Sequence, residues 1–189
     1  MMFLITGCGR SGTLYAATVL RAAGLDVGHE AAGKDGAVSS HWAVDDVLYP
    51  TYHQQGPRPQ FDVILHQVRE PLATIASLTT SRADSWLWNV RHVSIELLWS
   101  TLRIAADYWL QWNRIAEEQA ILTYRVENMA GAWPRICEAL SLDAQFPEGI
   151  STSINSRQHQ QVSWQNIHEI TPRYGEIVQM ARRYGYPAP

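Results

Sequence analysis

The chain has 189 residues, 46% apolar and 17% charged, with a formal net charge of −3 at neutral pH. This length suits one domain, and the composition is that of a globular protein rather than a disordered chain. A slightly acidic chain has no general attraction for polyphosphate, so nucleic acid is excluded as an expected partner. The sequence contains neither an apolar run long enough to span a membrane nor a secretory signal at MMFLITG, and we expect no membrane span and a cytoplasmic location.

Predicted strands and helices alternate along the chain. Apolar runs predict strands at residues 3–5, 25–28, 62–68 and 120–126. Apolar positions at steps of three and four, with their flanking Gly and Pro residues, predict helices at 13–23, 71–80, 93–118, 129–140 and 172–184. This alternation indicates a three-layer α/β fold in which helices flank a central parallel sheet, with ligands at the carboxyl ends of the strands.

Two segments lack a clear periodicity. Residues 31–60 contain several Gly, Ser and Pro residues, and residues 143–164 are rich in Ser, Gln and Asn. We predict that both are loops or lids of a single domain formed by residues 1–189. The oligomeric state is left open.

The loop GCGRSG at residues 7–12 lies between the first strand and the first helix, where main-chain N–H groups and the helix dipole bind anions. As a nucleotide-hydrolase loop it is incomplete, because Thr13 occupies the lysine position and Leu14 the magnesium-ligand position. As G-x-G-x-x-G it fits an NAD(P)-binding Rossmann-type protein, with Glu30 near the place of a ribose-binding acid. A kinase-like or non-catalytic nucleotide-binding protein is a further alternative.

The tetrapeptide Arg10-Ser11-Gly12-Thr13 favours a different interpretation. It resembles the phosphosulfate loop of the sulfotransferase family, closest in motif to the tyrosylprotein and small bacterial members. This resemblance implies a P-loop-type α/β fold that uses 3'-phosphoadenosine 5'-phosphosulfate (PAPS) as donor substrate. It implies that Gly9 and the four residues of the tetrapeptide bind the donor, and that Arg10 also contacts the transferring group.

A second match to the same family lies in VREPLATIAS at residues 68–77. Arg69 and Ser77 have the family's R-x7-S spacing, which implies that they hold the 3'-phosphate of the donor. A guanidinium at a strand end and a hydroxyl on the following helix can converge on one phosphate. The family's C-terminal glycine-rich motif is absent, and Arg157 is the candidate to replace it.

The segment GLDVGHE, residues 24–30, supplies the candidates for acid-base chemistry. Tyrosylprotein relatives use a glutamate in a similar context as base, so the resemblance implies Glu30 as the catalytic base, with His29 as second candidate. Sulfuryl transfer needs no metal when arginine and main-chain N–H groups stabilise the charge, and no histidine spacing predicts a metal site. We therefore expect a metal-independent sulfotransferase (EC 2.8.2 type) that acts on a hydroxyl or amine of a small-molecule or saccharide acceptor.

Overall fold

A computed structural model describes residues 1–46, 58–151 and 159–189 of the chain. These residues contain five strands and seven α-helices. The strands are β1 (Phe3–Thr6), β2 (Val27–His29), β3 (Gly36–Val38), β4 (Val63–Val68) and β5 (Leu122–Arg125). The helices are α1 (Thr13–Ala22), α2 (Pro71–Leu78), α3 (Ala83–Asn89), α4 (Thr101–Glu118), α5 (Met129–Leu140), α6 (Trp164–Ile170) and α7 (Tyr174–Arg183). None of these helices is both long and apolar enough to cross a membrane.

The five strands form one parallel sheet in the order β2-β3-β1-β4-β5. Side chains alternate across β1, so that Phe3 and Ile5 pack with α1 and α5, while Leu4 packs on the opposite face. On that opposite face, α2, α4, α6 and α7 build the larger apolar core. The predicted α/β fold, a central parallel sheet between two helical layers, is confirmed.

The order of the strands decides which loops meet. β1 lies at the centre between β3 and β4, and β2 lies at the edge. The usual dinucleotide-binding order, 3-2-1-4-5-6, instead pairs the second strand with the first. In the present sheet β3 separates β2 from β1, which disfavours the interpretation of Glu30 as a ribose-binding acid beside the glycine loop.

The structure departs from the predicted elements at four places. Residues 36–38, predicted as loop, form the buried strand β3 next to β1, and a 3-10 turn follows at His41–Ala43. The helix predicted from residue 93 begins only at Thr101, because the Ser100 side chain accepts from the main-chain N–H of Arg103 and caps α4 there. The helices α3 and α6 were not predicted.

The two predicted loop segments lie partly outside the described residues. Residues 143–151 contain no helix or strand, as predicted, whereas residues 47–57 and 152–158 are not among those described. The second segment ends where Ser163 caps α6 with a reciprocal hydrogen bond to Asn166.

A glycine is required where β3 approaches β1. A Cβ at Gly36 would lie 2.5 Å from the carbonyl oxygen of Phe3, inside van der Waals contact with main chain that cannot turn away. We expect Gly36→Ala to lower the free energy of unfolding by about 2–3 kcal/mol, since the two strands must separate locally. Gly175 in α7 has no neighbour within 4 Å of such a Cβ, so Gly175→Ala should raise stability by up to about 1 kcal/mol. Urea unfolding of both variants measures the contrast, and equal effects would contradict the close approach of β3 to β1.

Candidate functional site

A cavity of about 380 Å³ opens at the carboxyl ends of all five strands. Because the strands are parallel, their C-terminal loops meet at one edge of the sheet. The strand ends contribute Gly9, Arg10 and Gly12 after β1, His29 and Glu30 at the end of β2, Ser40 and His41 after β3, Arg69 after β4, and Val126 and Glu127 after β5. The loops that follow all five strands, including the glycine loop after β1, therefore contribute residues to the cavity.

Two buried amide side chains hold the glycine loop in place. Gln67, at the end of β4, donates from Nε2 to the carbonyl of Ser11 over 2.7 Å and accepts from the Tyr124 hydroxyl over 2.8 Å. Asn113, on α4, accepts from the main-chain N–H of Cys8 over 3.2 Å. Gln67 and Asn113 are 0% and 1% exposed, so these bonds are shielded from competing water.

A buried histidine orients the second of these amides. His66 lies between Asn113 Oδ1, 3.1 Å from its Nε2, and the Thr123 hydroxyl, 3.2 Å from its Nδ1. Since an amide oxygen only accepts, Nε2 carries the proton and donates. Burial lowers the pKa of His66 to about 4, despite the opposing bond to Asn113. The ring is therefore neutral at physiological pH and keeps this pattern of donor and acceptor.

Arg69, predicted to hold the 3'-phosphate, and Arg10, predicted to contact the transferring group, meet at the cavity. The Arg69 guanidinium donates from Nη1 to the main-chain carbonyl of Arg10 over 3.1 Å, and Arg10 donates from Nε to the Ser77 hydroxyl over 2.9 Å. Arg10 reaches this position from a left-handed backbone with φ 70°, which costs a residue with a Cβ about 1 kcal/mol. The glycine loop and the β4–α2 unit thus form one cationic surface.

The amino end of α1 lies beside these arginines. Gly12 caps the helix with φ 88° and no side-chain hydrogen bond, so the first N–H groups of α1 have no capping oxygen from that residue. Added bulk at Gly12 would meet Val126, whose Cγ2 is 3.2 Å from a built Cβ. The Thr13 hydroxyl lies 3.1 Å from Nε2 of His29. An anion at this place would meet the positive end of the helix dipole.

Glu30 is bound by several donors at once. One carboxylate oxygen accepts from the Ser39 hydroxyl over 2.6 Å and lies 2.7 Å from Nδ1 of His41, and the other accepts from the Ser40 main chain over 3.3 Å. Burial alone would raise the pKa of this carboxyl, but the charge and hydrogen bond of His41 and the Ser39 bond outweigh it and lower the pKa to about 2. A carboxylate of such low pKa is a poor proton acceptor on its own.

His41 is a site residue that the sequence did not reveal. Its ring lines the cavity, with Nδ1 toward Glu30 and an edge-to-face contact of 5.4 Å between ring centroids with Trp88. The Trp112 indole of α4 donates to the carbonyl of Ser40, and Gln119 donates to that of Ala43, which fixes the turn carrying His41. Glu30 and His41 thus form a carboxylate–imidazole pair of the kind that orients a general base.

The predicted site residues fall into three groups. Seven of them line the cavity: Gly9, Arg10, Gly12, Thr13, His29, Glu30 and Arg69. Ser11 and Ser77 are buried behind the loop, at 1% and 2% exposure, where the Ser77 hydroxyl contacts Arg10. Arg157 lies outside the described residues. Local sequence patterns do not indicate His41 or the supporting amides of Gln67 and Asn113, since none of these residues belongs to a local motif.

A scan of the sequence against protein-family models and a search of curated proteins both found no match.

The lowered pKa of Glu30 predicts a pH-dependent contribution to stability. A carboxyl with a pKa of about 2 in the folded protein and an ordinary value of 4.5 favours folding above pH 4.5, and this contribution is lost as the pH falls toward 2. Glu30→Gln cannot titrate at this position. Between pH 6 and pH 3 the wild-type protein should therefore lose about 2 kcal/mol more stability than the variant. Urea unfolding at the two pH values measures the difference, and parallel losses would contradict the bonded carboxylate.

Proposed function

We propose that the protein is a PAPS-dependent sulfotransferase. The observation that carries this proposal is the junction at which Arg69 contacts the Arg10 carbonyl and Arg10 contacts the Ser77 hydroxyl. These two bonds join residues that are 59 and 67 positions apart in the chain. The sulfotransferase resemblance requires its two motifs to act on one nucleotide, and so to lie together in this way. Two guanidinium groups beside the amino end of α1 suit a ligand with several phosphate or sulfate groups.

The residues of the cavity divide into two sets by their chemistry. Arg10, Arg69 and the first N–H groups of α1 bind the anionic parts of PAPS and stabilise charge on the leaving 5'-phosphate. A magnesium-dependent nucleotide hydrolase has a lysine at the position of Thr13 and a hydroxyl ligand for magnesium at the position of Leu14. Because this chain has neither group there, the two arginines are the main source of positive charge among the described residues of the cavity. The other set, Glu30 with His41, handles the acceptor proton.

In the reaction, the acceptor oxygen or nitrogen forms a bond to sulfur as the bond from sulfur to the bridging phosphate oxygen breaks. The electron pair of the broken bond stays on the 5'-phosphate of 3',5'-bisphosphoadenosine, and the acceptor proton passes to the protein. We assign His41 as the group that takes this proton and Glu30 as the carboxylate that orients its ring, in place of Glu30 acting alone. His29, bonded to Thr13, is the remaining alternative for the base.

Binding of the product nucleotide tests the donor site. We expect 3',5'-bisphosphoadenosine to bind without magnesium and to raise the melting temperature, while NAD(P) and ATP with magnesium have a smaller effect. Arg69→Ala should weaken this binding by about 10–100-fold, because a charge-assisted contact is lost. Arg82→Ala is the matched control, since that side chain is 81% exposed and pairs with Asp84. Calorimetric titration gives the affinities. Preference for NAD(P) or ATP, or equal affinity in both arginine variants, would refute the proposed donor site.

Substitution of the paired residues tests the base. His41→Ala should lower release of bisphosphate from PAPS in the presence of acceptor by at least about 100-fold, while leaving bisphosphate affinity unchanged. Glu30→Gln should retain part of the activity, since the amide oxygen of Gln can still accept from Nδ1 of His41 and orient the ring.

Two results would contradict this assignment. Full activity in His41→Ala with none in Glu30→Gln would make the carboxylate the base. Activity lost in His29→Ala and retained in His41→Ala would move the role to His29.

A further inference from the structure

One wall of the cavity carries neutral polar side chains that the donor site does not use. Ser81 follows α2, and Ser85 and Asn89 lie four residues apart on α3, so that both point to one side of this helix. The neighbouring Trp86 and Trp88 of α3 turn into the apolar core instead. We name this surface, formed by Ser81, Ser85 and Asn89, the α3 wall.

The side-chain polar groups of the α3 wall have no hydrogen-bond partner in the part of the chain that the structure describes. Within the described residues, neither the side-chain amide of Asn89 nor the hydroxyls of Ser81 and Ser85 make a hydrogen bond, although Asn89 is only 7% exposed and lines the cavity. The Asn89 amide atoms are not among the buried polar atoms that lack a partner, so they are open to the cavity rather than sealed in the core. A ligand that lies on this wall can therefore bond to the amide in place of water.

The α3 wall adjoins the assigned base and the glycine loop. Trp88, next to Asn89 in the chain, contacts the His41 ring edge to face at 5.4 Å between centroids. Tyr108, which lines the same cavity and packs on Trp86 at 5.3 Å, has its hydroxyl 3.6 Å from a Cβ built on Gly9. A molecule lying on this wall therefore has His41 on one side and the loop that holds the sulfuryl group on the other.

The chemistry of the wall narrows the class of acceptor. Ser81, Ser85 and Asn89 are uncharged, and Leu78 and Tyr108 beside them are uncharged as well. Hydroxyl and amide groups both donate and accept, which matches adjacent hydroxyls of a sugar. An apolar phenol on this wall would displace water from the Asn89 amide without replacing its hydrogen bonds. The free-energy cost of that desolvation disfavours binding of the phenol.

From this wall we infer that the acceptor is a neutral, multiply hydroxylated molecule of the saccharide class, selected by Ser85 and Asn89. The inference rests on the proposed sulfotransferase function and adds the identity of the group that receives the sulfuryl. One hydroxyl of the acceptor gives its proton to His41, and the oxygen of that hydroxyl bonds to sulfur. The bond from sulfur to the bridging phosphate oxygen breaks, and its electron pair stays on the bisphosphate.

Binding to the bisphosphate-loaded protein tests this acceptor class. The probes are cellobiose, maltose, trehalose and N,N'-diacetylchitobiose at about 10 mM, a concentration suited to weak ligands, with 2-naphthol as the apolar comparison. Saturation-transfer NMR should detect at least one saccharide bound to the wild-type complex. Asn89→Leu, which keeps the side-chain size but removes the amide, should weaken that saccharide about tenfold or more and leave bisphosphate affinity within about twofold.

Two further variants keep the experiment decisive. Ser85→Ala removes one hydroxyl from a half-buried position and should weaken the saccharide about threefold to tenfold even if Asn89→Leu does not fold. Arg82→Ala, at the exposed start of α3, should change neither ligand.

The outcomes separate the two proposals. No bisphosphate binding by the wild-type protein refutes the sulfotransferase function and this inference with it. Bisphosphate binding without any saccharide, or tighter binding of 2-naphthol than of every saccharide, refutes the acceptor class alone. Loss of bisphosphate affinity in Asn89→Leu or Ser85→Ala would assign the wall to the nucleotide and overturn the inference.

Discussion

The glycine loop depends on hydrogen bonds from beneath it. Gln67 binds the Ser11 carbonyl from β4, and Asn113 binds the Cys8 N–H from α4, both fully shielded by the core. Within the loop, the Ser11 N–H also donates to the Cys8 carbonyl, so main-chain groups on both sides of Arg10 are fixed by bonds inside the protein. These bonds hold the loop in shape before any ligand arrives, so an anion bound there would not require the loop dipoles to reorganise.

The helix α4 also stabilises a second loop, the one that contains His41. Asn113 reaches the glycine loop, while Trp112, one residue earlier, donates to the Ser40 carbonyl beside His41, and Gln119 donates to Ala43. One buried helix therefore sets the distance between the glycine loop and the turn that carries His41, the proposed donor loop and the proposed base. A rigid element of this kind keeps reacting groups in register more reliably than loops packed only on each other.

Charge in the cavity is arranged on two sides. Arg10 and Arg69 are joined through the Arg10 carbonyl next to the amino end of α1, which makes that side favourable for anions. Glu30 stays ionised at neutral pH because His41, Ser39 and Ser40 donate to it or pair with it. The uncharged α3 wall lies next to His41. Separate cationic, acid-base and neutral surfaces are what the proposed transfer from an anionic donor to a neutral acceptor requires.

Local patterns in the sequence were enough to predict the α/β class, the glycine loop before α1, and the positions of Arg10 and Arg69 after their strands, because each depends on residues adjacent in the chain. The strand β3 was missed, since three residues of Gly-Ala-Val show no periodicity and only the neighbouring β1 makes them a strand. The pairing of Glu30 with His41, and the meeting of His41 with α3, follow from the order of strands in the sheet. That order is a property of the packed core, and it alone decided which of the distant side chains face one another across the cavity.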